Sequence, residues 1–366
     1  MADKPSDGAM VVPAAMPGMP QSDADVVEGV PKPRYDWMGL RSEWNVRAKP
    51  KAHGLRLSDL NIGIYGETPE VWDDATRRPR GALPRPGVPP LPYNLRKKHQ
   101  LWADCAADLY EEAIQRRWAP ATDVPWSTLK PLPDAIERSV CQVCTELSQF
   151  ANTELEIITY WQDQMSYGYY EVKQFLATET FSATRLIEAL RKRALSNGGG
   201  LGVEGRGLVN RMILESRGGW TESAVYLYLL RGTYTLHILR GLLLAAHNPA
   251  ERFIYSRAIE DHARHLTYGY DHLKYAVTHE RPLRDVMQTL LTIGEVMVAL
   301  ELEESPMRHA LAIIFGGGIE GGRTVGMQTY RHMVAEYLRD YLAIADWLGV
   351  PRSGALHPML KKYLET

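Results

Sequence analysis

Cysteine is almost missing from this 366-residue chain: Cys105, Cys141 and Cys144 are the whole supply, too few for a disulfide framework. That scarcity fits a reducing cytoplasm, the expected compartment. An excess of charge of one sign is missing as well, since the formal net charge is -2. Neither a nucleic-acid-binding surface nor an acidic interaction tail is therefore expected. Long apolar runs are absent too. The stretch LRGLLLAAH at 239–247 is too short to span a bilayer, contains Arg240 and follows Arg231, so no membrane association is expected. The opening MADKPSDGAM has no basic region leading into a long apolar run, and no secretory signal is expected. Finally, no convincing series of strands can be read. The length allows one large core with extensions, or two modest domains.

What is present divides by composition. Residues 1–33 are rich in Pro, Gly, Ala, Met and Asp without periodicity and read as a disordered tail. Residues 34–94 read as an extended arm. Trp37, Trp44, Ile62, Ile64, Tyr65 and Trp72 are scattered among Pro, Gly and charges, for packing on the chain's own domain or on a neighbour. The run RRPRGALPRPGVPPLPYN at 77–94 is too proline-dense for a helix or a central strand. From residue 95 to about 350 the pattern is helical. Apolar residues recur at three and four, predicting helices over about 95–117, from Pro133-Asp134 onward, 169–195, 221–246, 249–279, 283–314 and 323–348. Residues 351–366 read as a tail. Long amphipathic helices without strands predict an all-α bundle with an extended N-terminal arm.

Four successive helices place a polar residue in the stripe that should be core. These are Glu154, Glu179, Arg231, and the group Asp261, His262 and His265. Burying unpaired charge is costly, so groups at mid-length of four helices are expected to meet one another or a metal. Positions i and i+3 project from one helix face, which lets a carboxylate and an imidazole of a Glu-x-x-His pair reach one ion. In DHARH, residues 261–265, His262 stands where that Glu would be.

From about Leu101 to Trp347 the chain resembles the ferritin-like superfamily of di-iron oxygenases, in particular relatives of bacterial multicomponent monooxygenase hydroxylases. The resemblance rests on YEEAIQRRWAPATDVPW at 110–126, FLATETFSATRLIEALRKRALSNGGGLG at 175–202 and RAIEDHARHL at 257–266. Such proteins hold two irons with a Glu, an Asp-Glu-x-Arg-His motif, a second Glu and a second such motif. Carried over by position, the first Glu falls on Glu154. The first motif falls on 182–186, losing its ligands to Ala183 and Leu186, and the next Glu falls on Arg231. The last motif keeps Asp261, Arg264 and His265 and exchanges its Glu for His262.

Two readings follow from that resemblance. In one, the irons are gone, Arg231 pairs with Glu154 or Glu179, and Ala183 and Leu186 fill volume. The chain is then a non-catalytic or regulatory subunit, similar to the β-type subunit of those hydroxylases. It would work with a ferritin-like partner, the same chain or another, in oxidising a small organic substrate. In the other, a single iron remains, held by Glu154, His262 and His265, with Glu179 as a substitute carboxylate. That is the 2-His-1-carboxylate set of non-haem oxygenases and oxidases. Asp261 and Arg264 would support the ligands. A purely structural homodimer is a third possibility.

Other motifs carry less. Cys141-Gln-Val-Cys144 in mid-helix reads as two small buried residues. Gly316, Gly318 and Gly321 match GxGxxG but join two helices, so a flexible loop is the expectation. His265, His272 and His279 predict one helix face with partly exposed imidazoles. Arg191-Lys192-Arg193 reads as cations favoured at a helix C-terminus.

Overall fold

The computed structural model describes residues 46–72, 76–84 and 87–365, with one short pair before them. In that pair Val26–Val27 and Val30–Pro31 align antiparallel, and contacts divide the chain into a unit of residues 1–44 and one of 45–366. The tail read over 1–33 and the aromatic positions Trp37 and Trp44 otherwise fall outside the described residues.

The unit from 45 onward is all-α. Its helices are α1 (Ala106–Gln115), α2 (Asp134–Gln164), α3 (Tyr170–Ser196) and α4 (Leu208–Glu215). Next come α5 (220–244), α6 (Pro249–His279), α7 (Leu283–Glu304) and α8 (Pro306–Gly316). Then follow α9 (319–348) and α10 (Pro358–Leu364). Among the described residues no helix is long and apolar enough to cross a membrane.

The longest helices start where their sequences say they should. α2 opens behind Pro133 with Asp134 and Glu137 in its first turn, complementing the helix dipole. α6 opens on Asn248, whose side chain accepts from the Glu251 N–H at 2.9 Å, with Pro249 in the first turn. The helix read over 283–314 is instead two, because the Ser305 hydroxyl caps a new start at Pro306, accepting from the Met307 N–H at 3.1 Å. The helix read over 95–117 begins only at Ala106, with a single 3₁₀ turn before it.

α5 departs from regular geometry. Between Trp220–Ala224 and Thr233–Leu244 lies a π segment, Val225–Gly232. A π turn displaces backbone carbonyls from their usual partners. Here the Thr233 hydroxyl donates to the carbonyls of Leu229, at 2.8 Å, and Tyr228, at 3.2 Å. Every side chain beyond the π turn is thereby rotated relative to a 3.6-residue reading.

α2 and α3 form a hairpin, and α6 packs on both α3 and α5. Arg193, read as a helix-end cation, is instead fully buried. It bonds Glu137 of α2 at 2.7 Å and Glu251 of α6 at 2.7 Å, tying three helices together. The segment before α1 packs on its own chain: Arg80 reaches Glu171 Oε2 at 3.0 Å and the Gly168 carbonyl at 3.1 Å, and Trp72 is buried. A Cβ at Gly168 would sit 2.4 Å from the Trp72 ring, so glycine permits that seat. The glycines of 316–326 are likewise close-approach residues, not a slack loop. A Cβ at Gly321 would lie 2.0 Å from the Gly316 carbonyl oxygen, and one at Gly326 1.9 Å from that of Ala312. The C-terminal stretch read as a tail contains α10, with Leu360 and Tyr363 buried.

Candidate metal centre

Glu154 from α2, Glu179 from α3, and His262 and His265 from α6 converge in the interior. One ligand atom from each of Glu154, His262 and His265 lies within 4.8 Å of the others. His265 Nδ1 is 2.7 Å from Glu154 Oε1 and 3.9 Å from Glu179 Oε1. His265 Nδ1 and Glu154 Oε1 form a buried ion pair, and neither these atoms nor Glu179 Oε1 makes a well-directed hydrogen bond. Buried polar atoms seldom lack one, because each forfeits its hydration.

His262 is held differently. Its Nε2 lies 2.8 Å from the Gly232 carbonyl oxygen, which can only accept, so Nε2 carries the hydrogen. Burial pushes this imidazole below its ordinary pKa, leaving it neutral with its lone pair on Nδ1. An imidazole whose far N–H is fixed by a carbonyl has the tautomer a metal ligand needs. The position that presents this carbonyl is a glycine because a Cβ there would fall 2.6 Å from Leu266 Cδ2.

The two carboxylates divide one charge. Burial and the neighbouring Glu154 raise Glu179 well above the carboxylate range. Burial also works to raise Glu154, but the adjacent His265 more than offsets it and the net shift is downward. Glu179 therefore keeps a proton and Glu154 the negative charge. Glu179 Oε2 also accepts from the Tyr228 hydroxyl at 3.2 Å, and burial together with Glu179 raises that phenol in turn.

Asp261 does not face the cluster. It accepts from Trp118 Nε1 at 2.9 Å and Arg185 at 2.8 Å, and it pairs with Arg264. These bonds lock α6 to α3 and to the segment before α2, which fixes the rotation that turns His262 and His265 inward. Neither histidine is bonded to Asp261 or Tyr268, the partners a simple core role would have used. Ala183 is buried in α3 one turn beyond Glu179, and Leu186 is partly buried.

Arg231 requires a correction. It does not pair with Glu154 or Glu179: its NH1 sits 2.7 Å from Glu301 Oε1 of α7, and its guanidinium lies over Phe150 at 3.8 Å. The π segment is the cause, since it brings Tyr228 and the Gly232 carbonyl to the cluster in place of Arg231. Tyr228, Gly232, Trp118 and Arg185 are contributors that the sequence reading did not single out. The first motif, carried over onto 182–186, keeps its Arg as Arg185, and that was the signal available for it.

The heptad of histidines separates into three environments. His265 is in the cluster and His279 is exposed. His272, expected to be partly exposed, is fully buried between the Trp102 carbonyl at 3.1 Å and the Thr221 hydroxyl at 3.2 Å. Cys141 and Cys144 are buried in α2, and burial pushes both thiols well up, which suits packing and not redox chemistry.

Two imidazoles and a carboxylate, with a second carboxylate in reach, fit one transition-metal ion. Fold and site together define an all-α chain with a buried Glu/His cluster. No family model matches the chain, and no curated protein and no solved structure matches it either.

Proposed function

We propose that this chain is a ferritin-like protein that holds a single iron ion with Glu154, His262 and His265, backed by Glu179, and that it serves oxidative chemistry. The observation that carries the reading is the convergence of three buried ligand atoms, one each from Glu154, His262 and His265, within 4.8 Å of one another. Support also comes from the origin of the ligands on the long helices α2, α3 and α6, as in carboxylate-histidine bundle sites. Only one ion is proposed, since Ala183 and Leu186 offer no donor atoms. The metal-free reading counted, beside the ligands lost at Ala183 and Leu186, an Arg inside the cluster, and Arg231 is bonded to Glu301 instead.

An iron held by two imidazoles and a carboxylate supplies open coordination positions and a one-electron change of oxidation state. The chain's own part is to exclude water, to orient both imidazoles, and to handle one proton. Burial and Glu154 hold Glu179 above the ordinary carboxylate range, so a cation drawing on this carboxylate would displace a proton from it. Tyr228 keeps Glu179 Oε2 in place by donating to it. The 46–94 segment and a ferritin-like partner, the same chain or another, complete the proposed assembly.

Metal analysis of protein from iron-rich medium is the test. Iron that co-purifies with the wild type and is lost in His265→Ala supports the reading. Folded wild-type protein carrying no transition metal would overturn it.

A further inference from the structure

α7 carries two apolar stripes where a surface helix needs one. Met287, Leu291, Val298 and Leu302 are buried in the core. Leu283, Val286, Leu290, Ile293, Met297 and Leu300 form a second stripe, in which Val286 and Ile293 are each 48 % exposed and the other four are half-buried. At 3.6 residues per turn these six fall within an arc of about 100°, centred about 120° round the helix from the core stripe. The core therefore does not account for them.

The same face lacks charge. Among the fifteen residues from Val286 to Leu300 the one charged side chain is Glu295, and it is buried, accepting from Tyr341 at 2.7 Å and from Arg352 at 2.8 Å. Charged residues make up roughly a quarter of an ordinary chain, so about four would be usual over that length. Beside the stripe the exposed positions are instead Thr289 and Thr292. A membrane-surface helix would flank such a stripe with Lys and Arg, and a charged partner would be selected by opposite charge. Neither device is present on this face.

The spacing of the stripe selects its own occupant. The steps from Leu283 to Leu300 are three, four, three, four and three, the seam spacing of paired helices, and they read the same in both directions. Laid antiparallel on a second copy, Leu283 meets Leu300, Val286 meets Met297 and Leu290 meets Ile293, so every apolar residue of the seam finds another. A cavity of about 330 Å³ lies along the Leu283–Leu290 half, between α7 and the start of α5. In the antiparallel arrangement it lies beside the Met297 half of the second copy, and methionine is the side chain that best fills an irregular gap.

We propose that two copies of this chain associate through α7, paired antiparallel about a two-fold axis between Leu290 and Ile293. The inference rests on the surface of α7 alone and is independent of the iron reading. A specific dimer buries roughly 800 Å² per partner, and one helix seam with the rim of the cavity lies at the low end of that scale, so a dissociation constant of about 10 µM is expected.

Sedimentation velocity of the full-length protein from about 1 to about 200 µM tests it, with a monomer expected at the bottom of the range and a dimer at the top. Ile293→Glu is expected to raise the dissociation constant at least about tenfold while dilute protein keeps its melting temperature, because this side chain is outside the core. A monomer throughout would overturn the proposal and give the face to a different protein or to another part of this chain. A dimer that survives Ile293→Glu would place the contact elsewhere and overturn it too. Orientation is read with a short bis-maleimide and with wild type as the control for Cys105. Val286→Cys mixed with Met297→Cys is expected to cross-link, and neither variant alone, since in the antiparallel pair identical positions stand about 16 Å apart along the axis. Cross-linking of Val286→Cys to itself would overturn the antiparallel pairing.

Discussion

Arg231 NH1 lies 2.7 Å from Glu301 Oε1, and both groups are buried away from the Glu154–His265 pair. This single relationship decides whether a fixed positive charge competes with a metal. Glu301 Oε2 also accepts from the Val209 N–H at 3.0 Å, so the ion pair ties α5 to α7 and the start of α4. Arg231→Met leaves Glu301 uncompensated and is expected to cost about 3–5 kcal/mol. The double variant Arg231→Met/Glu301→Gln is expected to recover most of that loss. Urea unfolding of the three proteins measures it. Iron per folded chain is expected to stay the same throughout, and a rise in Arg231→Met would place the guanidinium at the cluster after all.

Gly232 is the second point of leverage. Its φ of -65° lies in the right-handed region open to any residue, so the requirement for glycine is spatial: a Cβ would lie 2.6 Å from Leu266 Cδ2 and 3.6 Å from His262 Nε2. Gly232→Ala is expected to destabilise by about 1–3 kcal/mol through overpacking. It is also expected to weaken iron binding, because it disturbs the carbonyl that sets the His262 tautomer. Chemical denaturation reads the first effect and competition with a chelator reads the second.

His272 gives the fold a dependence on pH away from the cluster. Burial lowers its pKa from 6.5 to about 4. The unfolded chain therefore binds a proton more readily than the folded one as pH falls below the unfolded value. Stability contributed by the neutral imidazole is complete above about pH 6.5 and is lost progressively as pH falls towards 4, by on the order of 3 kcal/mol. Melting temperatures across that range are expected to fall less steeply in His272→Asn, measured against the variant's own value at neutral pH. Equal slopes would show that other groups carry the acid sensitivity.

Much of this architecture was legible. The stripes of α3 and α6 set those helices to within a residue or two and Pro133-Asp134 set the start of α2, while of the polar residues read into the stripes Glu154, Glu179, His262 and His265 lie together and Arg231 and Asp261 bond elsewhere. α5 was not readable in the same way, since a π segment has no periodicity signal and moves Arg231 off the face that a regular helix would give it. Arg193 was misjudged for another reason. A cation near a helix end is normally solvated, and only the tertiary placement of Glu137 and Glu251 shows that this one is a core clamp. The break at Ser305-Pro306 was written in the sequence as a cap followed by proline, but the continuous apolar stripe on either side masks it.

Arg193 also supports a prediction about the packing of the helices. Its planar fork bonds both Glu137 oxygens, at 2.7 Å and 3.0 Å, and Glu251 at 2.7 Å. A lysine cannot reproduce this geometry. Arg193→Lys is expected to lose several kcal/mol, about 3–5, although the charge is kept. Equilibrium unfolding would show it. A near-neutral outcome would mean that charge alone, and not the fork, joins the three helices.

The central claim is that Glu154, His262 and His265 hold one metal ion. Anaerobic titration of metal-free protein with cobalt(II), a visible-absorbing stand-in for ferrous iron, tests it most directly. The account predicts new visible absorption that stops growing at one equivalent per chain, and its loss in both His265→Ala and Glu154→Ala. Absorption that never develops, or a break at two equivalents, would contradict it.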